Sequence, residues 1–147
     1  MMEIEVRELR EEDIEELAAI QEESFSMPWS AKAFRELLDN PYCVYLVALA
    51  AGRTAGCCGY TKVCDEASID NVVVAGRYRN LGIAQAMLKK LIARGEADGV
   101  SAFTLEVRVS NAPAIHIYEK YGFRSEGIRP GFYEKPTEDA VIMWRRK

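Results

Sequence analysis

The most constraining feature is an abrupt change of hydrophobic period. Ala67 to Val74 is dense in β-branched residues and reads as a strand. Arg77 to Gly82 breaks that pattern, and Ile83, Met87, Leu88, Leu91 and Ile92 then share one face of a helix closed by Gly95 to Gly99. A strand feeding a helix start across so short a turn needs a sheet with a helix packed on it. It also creates a chemical opportunity, because the first N–H groups of a helix have no intrahelical partner and the helix dipole there favours negative charge. Gly82 and Ala84 keep bulk away from the backbone, and Arg77 and Arg79 add positive charge. The turn is not a P-loop, since no Gly-Lys-Ser/Thr follows, and it is not G-x-G-x-x-G. Taken alone, R-x-x-G-x-A also suits an ordinary turn that needs a glycine.

The flanking elements complete a mixed architecture. Ile4, Val6 and Leu9 form a short opening strand, and Glu11 to Glu23 carries Ile14, Leu17, Ala18 and Ile20 on a helical stripe, with Asp13 favouring the dipole at its start. Ser30 is the expected N-cap of a second helix with Phe34, Leu37 and Leu38 inward, stopped by Asn40-Pro41. Tyr42 to Leu49 and Thr54 to Val63 make a hairpin about Ala51-Gly52-Arg53, and Phe103 to Val107 is a buried strand. Ser110 or Asn111 caps a helix holding Ala114, Ile117, Tyr118 and Tyr121, with Gly122 closing it. Phe123 to Ile128 and Ala140 to Trp144 read as final strands joined by a loop with Pro130, Gly131 and Pro136. The order β-α-α-β-β-β-α-β-α-β-β predicts an α/β (α+β) domain with a mixed, mostly antiparallel sheet and about four flanking helices, occupying residues 1–147 as one unit.

Composition narrows the function classes. With 19 Lys and Arg against 23 Asp and Glu, the net charge of -4 argues against direct nucleic-acid binding through a basic footprint and fits a cationic partner better. The longest apolar run, Cys43 to Ala51, is under half the ~20 residues of a membrane span, and Met-Met-Glu-Ile-Glu-Val has no secretory pattern. No membrane association and a cytoplasmic location are therefore expected. Cys43, Cys57, Cys58 and Cys64 lack C-x-x-C spacing and have one histidine to assist them, so no metal is expected and they read as reduced, half-buried strand residues.

Arg79-Asn80-Leu81-Gly82-Ile83-Ala84 resembles the Q/R-x-x-G-x-G/A acyl-CoA pyrophosphate loop of the GNAT N-acetyltransferase superfamily. Leu105-Glu106-Val107-Arg108-Val109-Ser110-Asn111, with Ala114 to Phe123 after it, resembles that superfamily's L-E-V-R-x-x-N…A-x-x-x-Y-x-x-x-G-F block. Phe25 to Ser30 and Arg129 to Met143 share the flavour of the bacterial RimI-type ribosomal-protein alanine N-acetyltransferases. The resemblance covers essentially the whole chain. It implies acetyl-CoA as co-substrate, with main-chain groups of Val72, Val73 and Val74 facing the pantetheine arm where the sheet splays. It likewise implies that the N–H groups from Arg79 through Asn80, Leu81, Gly82, Ile83 and Ala84, with Gln85, hold the pyrophosphate, and that Asn111 binds further along the cofactor.

The same resemblance makes Glu106 the general base and Tyr118 the general acid; read alone, Glu106 is equally an ion-paired strand residue and Tyr118 a core aromatic. Apolar neighbours of Glu106 would raise its pKa toward the working range. Tyr121 reads as a packing residue and His116 as a surface one. An oxyanion would be held by an N–H near Val74, and transfer would be direct, without an acyl-enzyme. Tyr133, beside Phe132, and Trp29 are the expected walls of the acceptor groove, although Trp29 also suits helix packing. Glu11, Glu12, Asp13, Glu15 and Glu16 would favour a basic ribosomal-protein N-terminal segment, or simply form a solvated helix face. The leading expectation is acetylation of a protein N-terminal α-amine, foremost a ribosomal-protein alanine. A small-amine acetyltransferase and a non-catalytic acyl-CoA-binding module are the alternatives.

Overall fold

The computed structural model describes residues 3–25 and 28–146. Ser26 and Met27, part of the Phe25 to Ser30 resemblance, lie outside the described residues. The chain runs β1 (Ile4–Glu8), a 3-10 turn (Glu11–Asp13), α1 (Ile14–Ser24), α2 (Ala31–Leu38), β2 (Cys43–Ala50), β3 (Arg53–Val63) and β4 (Glu66–Val74). A second 3-10 turn (Gly76–Tyr78) leads to α3 (Ile83–Ala97), β5 (Ala102–Arg108), α4 (Ala112–Lys120), β6 (Arg124–Tyr133) and β7 (Glu138–Arg146). Seven strands form one sheet in the order β1-β2-β3-β4-β5-β7-β6, in which β4 and β5 are the parallel pair and the other pairs are antiparallel.

Helices cover both faces, so adjacent residues of the central strands serve opposite cores. Leu46, Ala48 and Cys58 join Met87, Leu91 and Phe103 in one cluster, while Tyr45, Val47 and Cys57 join Ile14, Leu17 and Phe34 in the other. This is why β2 is an unbroken apolar run rather than an alternating one. Cys57 and Cys58 are fully buried, and burial pushes the Cys57 thiol up to about 12. The Ser30 side chain caps α2 by accepting from the Ala33 N–H at 3.2 Å, and Asn111, not Ser110, caps α4 through Ala114 N–H at 3.3 Å.

Of the boundaries that differ from expectation, two have a clear physical reason. Gly95 lies inside α3 rather than at its end: a Cβ there would sit 2.5 Å from the Phe103 ring, so the glycine admits that ring under the helix. β6 continues through Pro130 and Gly131 to Tyr133, with an irregular register after Arg129. It is a sheet edge, where a proline's missing N–H costs no ladder bond.

At Gly56 in β3 a Cβ would meet the Val73 carbonyl oxygen at 2.3 Å, a backbone atom that cannot swing away. Gly56→Ala is therefore expected to cost about 3 kcal/mol, at the upper end of overpacking penalties, and to perturb β4 at Val73 and Val74. Denaturant unfolding reads the loss; a midpoint equal to that of the parent protein would contradict it.

Candidate active site

The parallel pairing of β4 and β5 is short. It comprises Glu66 with Ala102, Ala67 with Phe103 and Ser68 with Thr104, after which β4 stays on β3 and β5 stays on β7. The separation coincides with a bulge in β4, where Asn71 adopts a left-handed φ of 53° and the β3 register slips between Cys57 and Gly59. The Ala75 N–H donates to the Ala55 carbonyl at 2.7 Å, so by strand alternation the Val74 N–H turns toward the open side.

Two adjoining cavities occupy the split. The smaller, about 140 Å³, is lined by Val72, Val73, Val74, Ala84, Leu88, Asn111, Ala114, Ile117 and Tyr118. The larger is a groove of about 900 Å³ whose lining includes Trp29, Asp70, Asn71, Glu106, Arg108, Phe132, Tyr133 and Glu138. Val72 and Asn111 line both.

At the α3 start, Gly82 is the N-cap with φ 79°, a conformation that strains any side-chain-bearing residue, and Asn80 has φ 64°. The first bond closing the helix runs from Ala86 N–H to the Gly82 carbonyl at 3.0 Å. The Arg79 N–H, expected in the pyrophosphate-holding set, donates instead to the Gly76 carbonyl at 3.3 Å and so falls outside it, whereas among the described residues the N–H groups of Asn80 through Gln85 have no protein acceptor, a donor set suited to a pyrophosphate. Arg79 Nε donates to the Val74 carbonyl at 3.2 Å, tying this turn to the end of β4. The Gln85 side chain is turned toward α4: its Oε1 accepts from Lys120 Nζ at 3.0 Å and from the Tyr121 hydroxyl at 3.5 Å.

Glu106 lines the larger groove, with Oε2 3.3 Å from Arg129 of β6 and no bonded partner for Oε1 among the described residues. Tyr118 lines the smaller cavity, buried against Phe123 at 5.8 Å between ring centroids. Its hydroxyl has no hydrogen-bond partner among the described residues, and burial raises its pKa well above the ordinary tyrosine value. His116 is exposed on α4. Trp29 packs on Phe34 and Tyr45 at 5.7 and 5.9 Å and also lines the larger groove. Tyr133 stacks edge-on with Phe132 at 5.0 Å and lies under the Arg108 guanidinium at 4.5 Å.

The acidic run is partly tied into the fold, while Glu15 and Glu16 are exposed. Asp13 is buried and held by Arg7 at 2.9 and 3.0 Å and by the Arg10 N–H at 2.8 Å, while Glu11 pairs with Arg35 at 3.0 Å and Glu12 with Arg10 at 3.4 Å. These residues fasten the start of α1. A polar chain beneath the groove is not among the features expected from the sequence. Gln21, fully buried, accepts from the Trp29 N–H at 3.1 Å and donates to Asn71 Oδ1 at 3.4 Å; Asn71 Nδ2 donates to the Tyr45 hydroxyl at 3.0 Å, which donates to Asp70. An Asn among valines and a Gln on an inward helix face were the available signals. Among the described residues no group of three or more His, Cys, Asp or Glu side chains could hold a metal, and no helix is long and apolar enough to cross a membrane.

A mostly antiparallel sheet thus splits beside a helix start with free N–H groups, and a carboxylate-bearing groove lies on the far side. The chain belongs to the acetyltransferase (GNAT) family, whose model matches residues 14–123. It is 39% identical over 140 residues, 95% of this chain and 93% of the other, to a Bacillus subtilis protein described as a candidate ribosomal protein bS18-alanine N-acetyltransferase. It is 37% identical over 128 residues, 84% of each chain, to the Escherichia coli ribosomal protein bS18-alanine N-acetyltransferase. The crystal structure of the ribosomal-protein-S18-alanine N-acetyltransferase from Escherichia coli superposes with a TM-score of 0.90 at 32% identity, covering 98% of this chain and 94% of that one. The protein is thus an N-acetyltransferase.

Proposed function

We propose that this protein, acting as a single domain over residues 1–147, transfers the acetyl group of acetyl-CoA to the N-terminal α-amine of a protein. The proposed acceptor is foremost the N-terminal alanine of a ribosomal protein, and the proposed setting is the cytoplasm. The observation that carries the reading is the open groove of about 900 Å³ running into the split. It has the room and the aromatic walls, Trp29, Phe132 and Tyr133, to seat an extended peptide end. The names of the relatives above point to the same acceptor.

The free N–H groups from Asn80 to Gln85 would hold the pyrophosphate, and the open edge of β4 from Val72 to Val74 would pair with the amides of the pantetheine arm, with Asn111 alongside. Acetyl-CoA supplies the activated acyl group. Glu106, through Oε1, takes a proton from the acceptor amine, which has a reference pKa near ~8 and must be neutral to form the new C–N bond. The Val74 N–H would face the charge developing on the carbonyl oxygen; as the intermediate collapses the C–S bond breaks, the Tyr118 hydroxyl gives its proton to sulfur, and the second proton on nitrogen leaves to water, from which the Tyr118 phenolate regains its own. Cys57 and Cys58, buried with raised thiol pKa values, do not serve as nucleophiles.

The expected result is CoA release with peptides bearing a free N-terminal alanine, confirmed by mass spectrometry as one acetyl group on the α-nitrogen. Polyamines and amino acids are expected to give little release above the acceptor-free rate. Response to small amines alone would overturn the protein-acceptor reading, and binding of acetyl-CoA with no turnover on any amine would favour the non-catalytic module.

A further inference from the structure

Where β4 and β5 part, each strand carries a carboxylate. Continuing the Ser68–Thr104 register sets Ile69 opposite Leu105 and Asp70 opposite Glu106. Ile69 and Leu105 are both buried in the cluster under α3, so strand alternation sends Asp70 and Glu106 to the other face, where both line the groove. Their neighbours differ. Glu106 is paired with Arg129, and Glu138 with Arg108 at 3.1 Å, whereas Asp70 has no cation beside it among the described residues.

Asp70 is fixed in place. Its Oδ1 accepts from the Tyr45 hydroxyl, itself held by Asn71 Nδ2 at 3.0 Å, and Oδ2 has no partner among the described residues. The carboxylate is open to the groove but enclosed by protein on its other sides, and this desolvation raises its pKa. A carboxylate so placed, without a protein cation, gains most from a cation arriving through the groove.

We propose that Asp70 is a substrate-positioning residue that docks the acceptor's α-ammonium group opposite Glu106, holding its nitrogen at the mouth of the β4–β5 split. An ammonium has three N–H donors. One would meet Asp70 Oδ2 and another Glu106; once Glu106 has removed its proton, a one-third turn about the Cα–N bond returns an N–H to each carboxyl group and leaves the lone pair facing the split. The proposal rests on the amine-acetylating reading above and adds a second carboxylate to it. It also locates the attraction for a cationic acceptor in the groove rather than in the Glu11 to Glu16 run.

Asp70→Asn is the decisive variant, because asparagine still accepts from Tyr45 while losing the charge. The expected result is an acceptor KM raised about tenfold or more, the loss of one hydrogen bond to a charged group. The KM for acetyl-CoA should be unchanged and kcat at saturating acceptor altered by less than about threefold. The rise should be the same for alanine-starting peptides with Gly, Ala, Lys or Arg at the second position. An unchanged acceptor KM overturns the proposal, as does a rise confined to peptides with Lys or Arg second, which would make Asp70 a side-chain pocket. Should the parent protein acetylate small amines alone, the protein-acceptor reading fails separately, and the same KM comparison with that amine still decides the role of Asp70.

Discussion

Turnover of the Glu106→Gln variant is expected to fall by two to three orders of magnitude at neutral pH, the scale of a lost general base. The substitution keeps the shape and one acceptor oxygen but cannot take a proton. Glu106 lines the groove and not the smaller cavity, so acetyl-CoA affinity should stay within about twofold. The fold should survive as well. The partner left behind, Arg129, is 53% exposed, and breaking a pair that solvent screens costs little. The defect has a pH signature. As pH rises past the acceptor's own pKa near ~8, more amine arrives already neutral and less depends on the base, so the ratio of parent to variant rates should shrink. A variant with undiminished turnover, or a deficit that does not change between pH 7 and pH 9, would remove Glu106 from the role of base.

Much of this site is legible in the sequence because it is built from local signals. The helix start at Gly82 to Gln85 follows from a strand pattern that breaks at Arg77 and resumes with a helical period at Ile83, and the structure leaves its N–H groups free as that pattern requires. The caps at Ser30 and Asn111 are equally local. What was not legible depends on residues far apart in the chain. Nothing at Ser68 or Thr104 marks the place where pairing stops, because the split is set by β4 following β3 through its bulge while β5 follows β7. The bulge rests on Asn71 in a left-handed conformation, held by Gln21 and Tyr45 from two other elements. Arg129 as partner of Glu106, and Asp70 as a second carboxylate in the same groove, likewise exist only once β4, β5, β6 and β7 are assembled.

Tyr118→Phe is expected to lower kcat about a hundredfold, with the acceptor KM little changed, because on the proposed mechanism it removes a proton donor that acts only as the leaving group departs. The environment keeps that donor loaded while making it a weaker acid. Desolvation is the largest cause of the raised Tyr118 pKa, followed by nearby Cys58 and Tyr133, so the phenol keeps its proton across the range in which the amine becomes neutral. Activity should therefore show no alkaline fall attributable to this group below about pH 10, the ordinary tyrosine value. Stability gives an independent check with a definite sign. In the unfolded chain Tyr118 loses its proton from about pH 10, while in the fold it retains it to higher pH. Its contribution is thus fully present below the unfolded value and is lost as pH rises through the folded one. Phenylalanine has no proton to lose, so parent and variant should unfold alike at pH 8, and the variant should become relatively more stable above pH 10. A leaving thiolate that needs no donor would leave kcat untouched by the substitution while this alkaline difference in stability remained, and that combination would assign Tyr118 to packing against Phe123 alone.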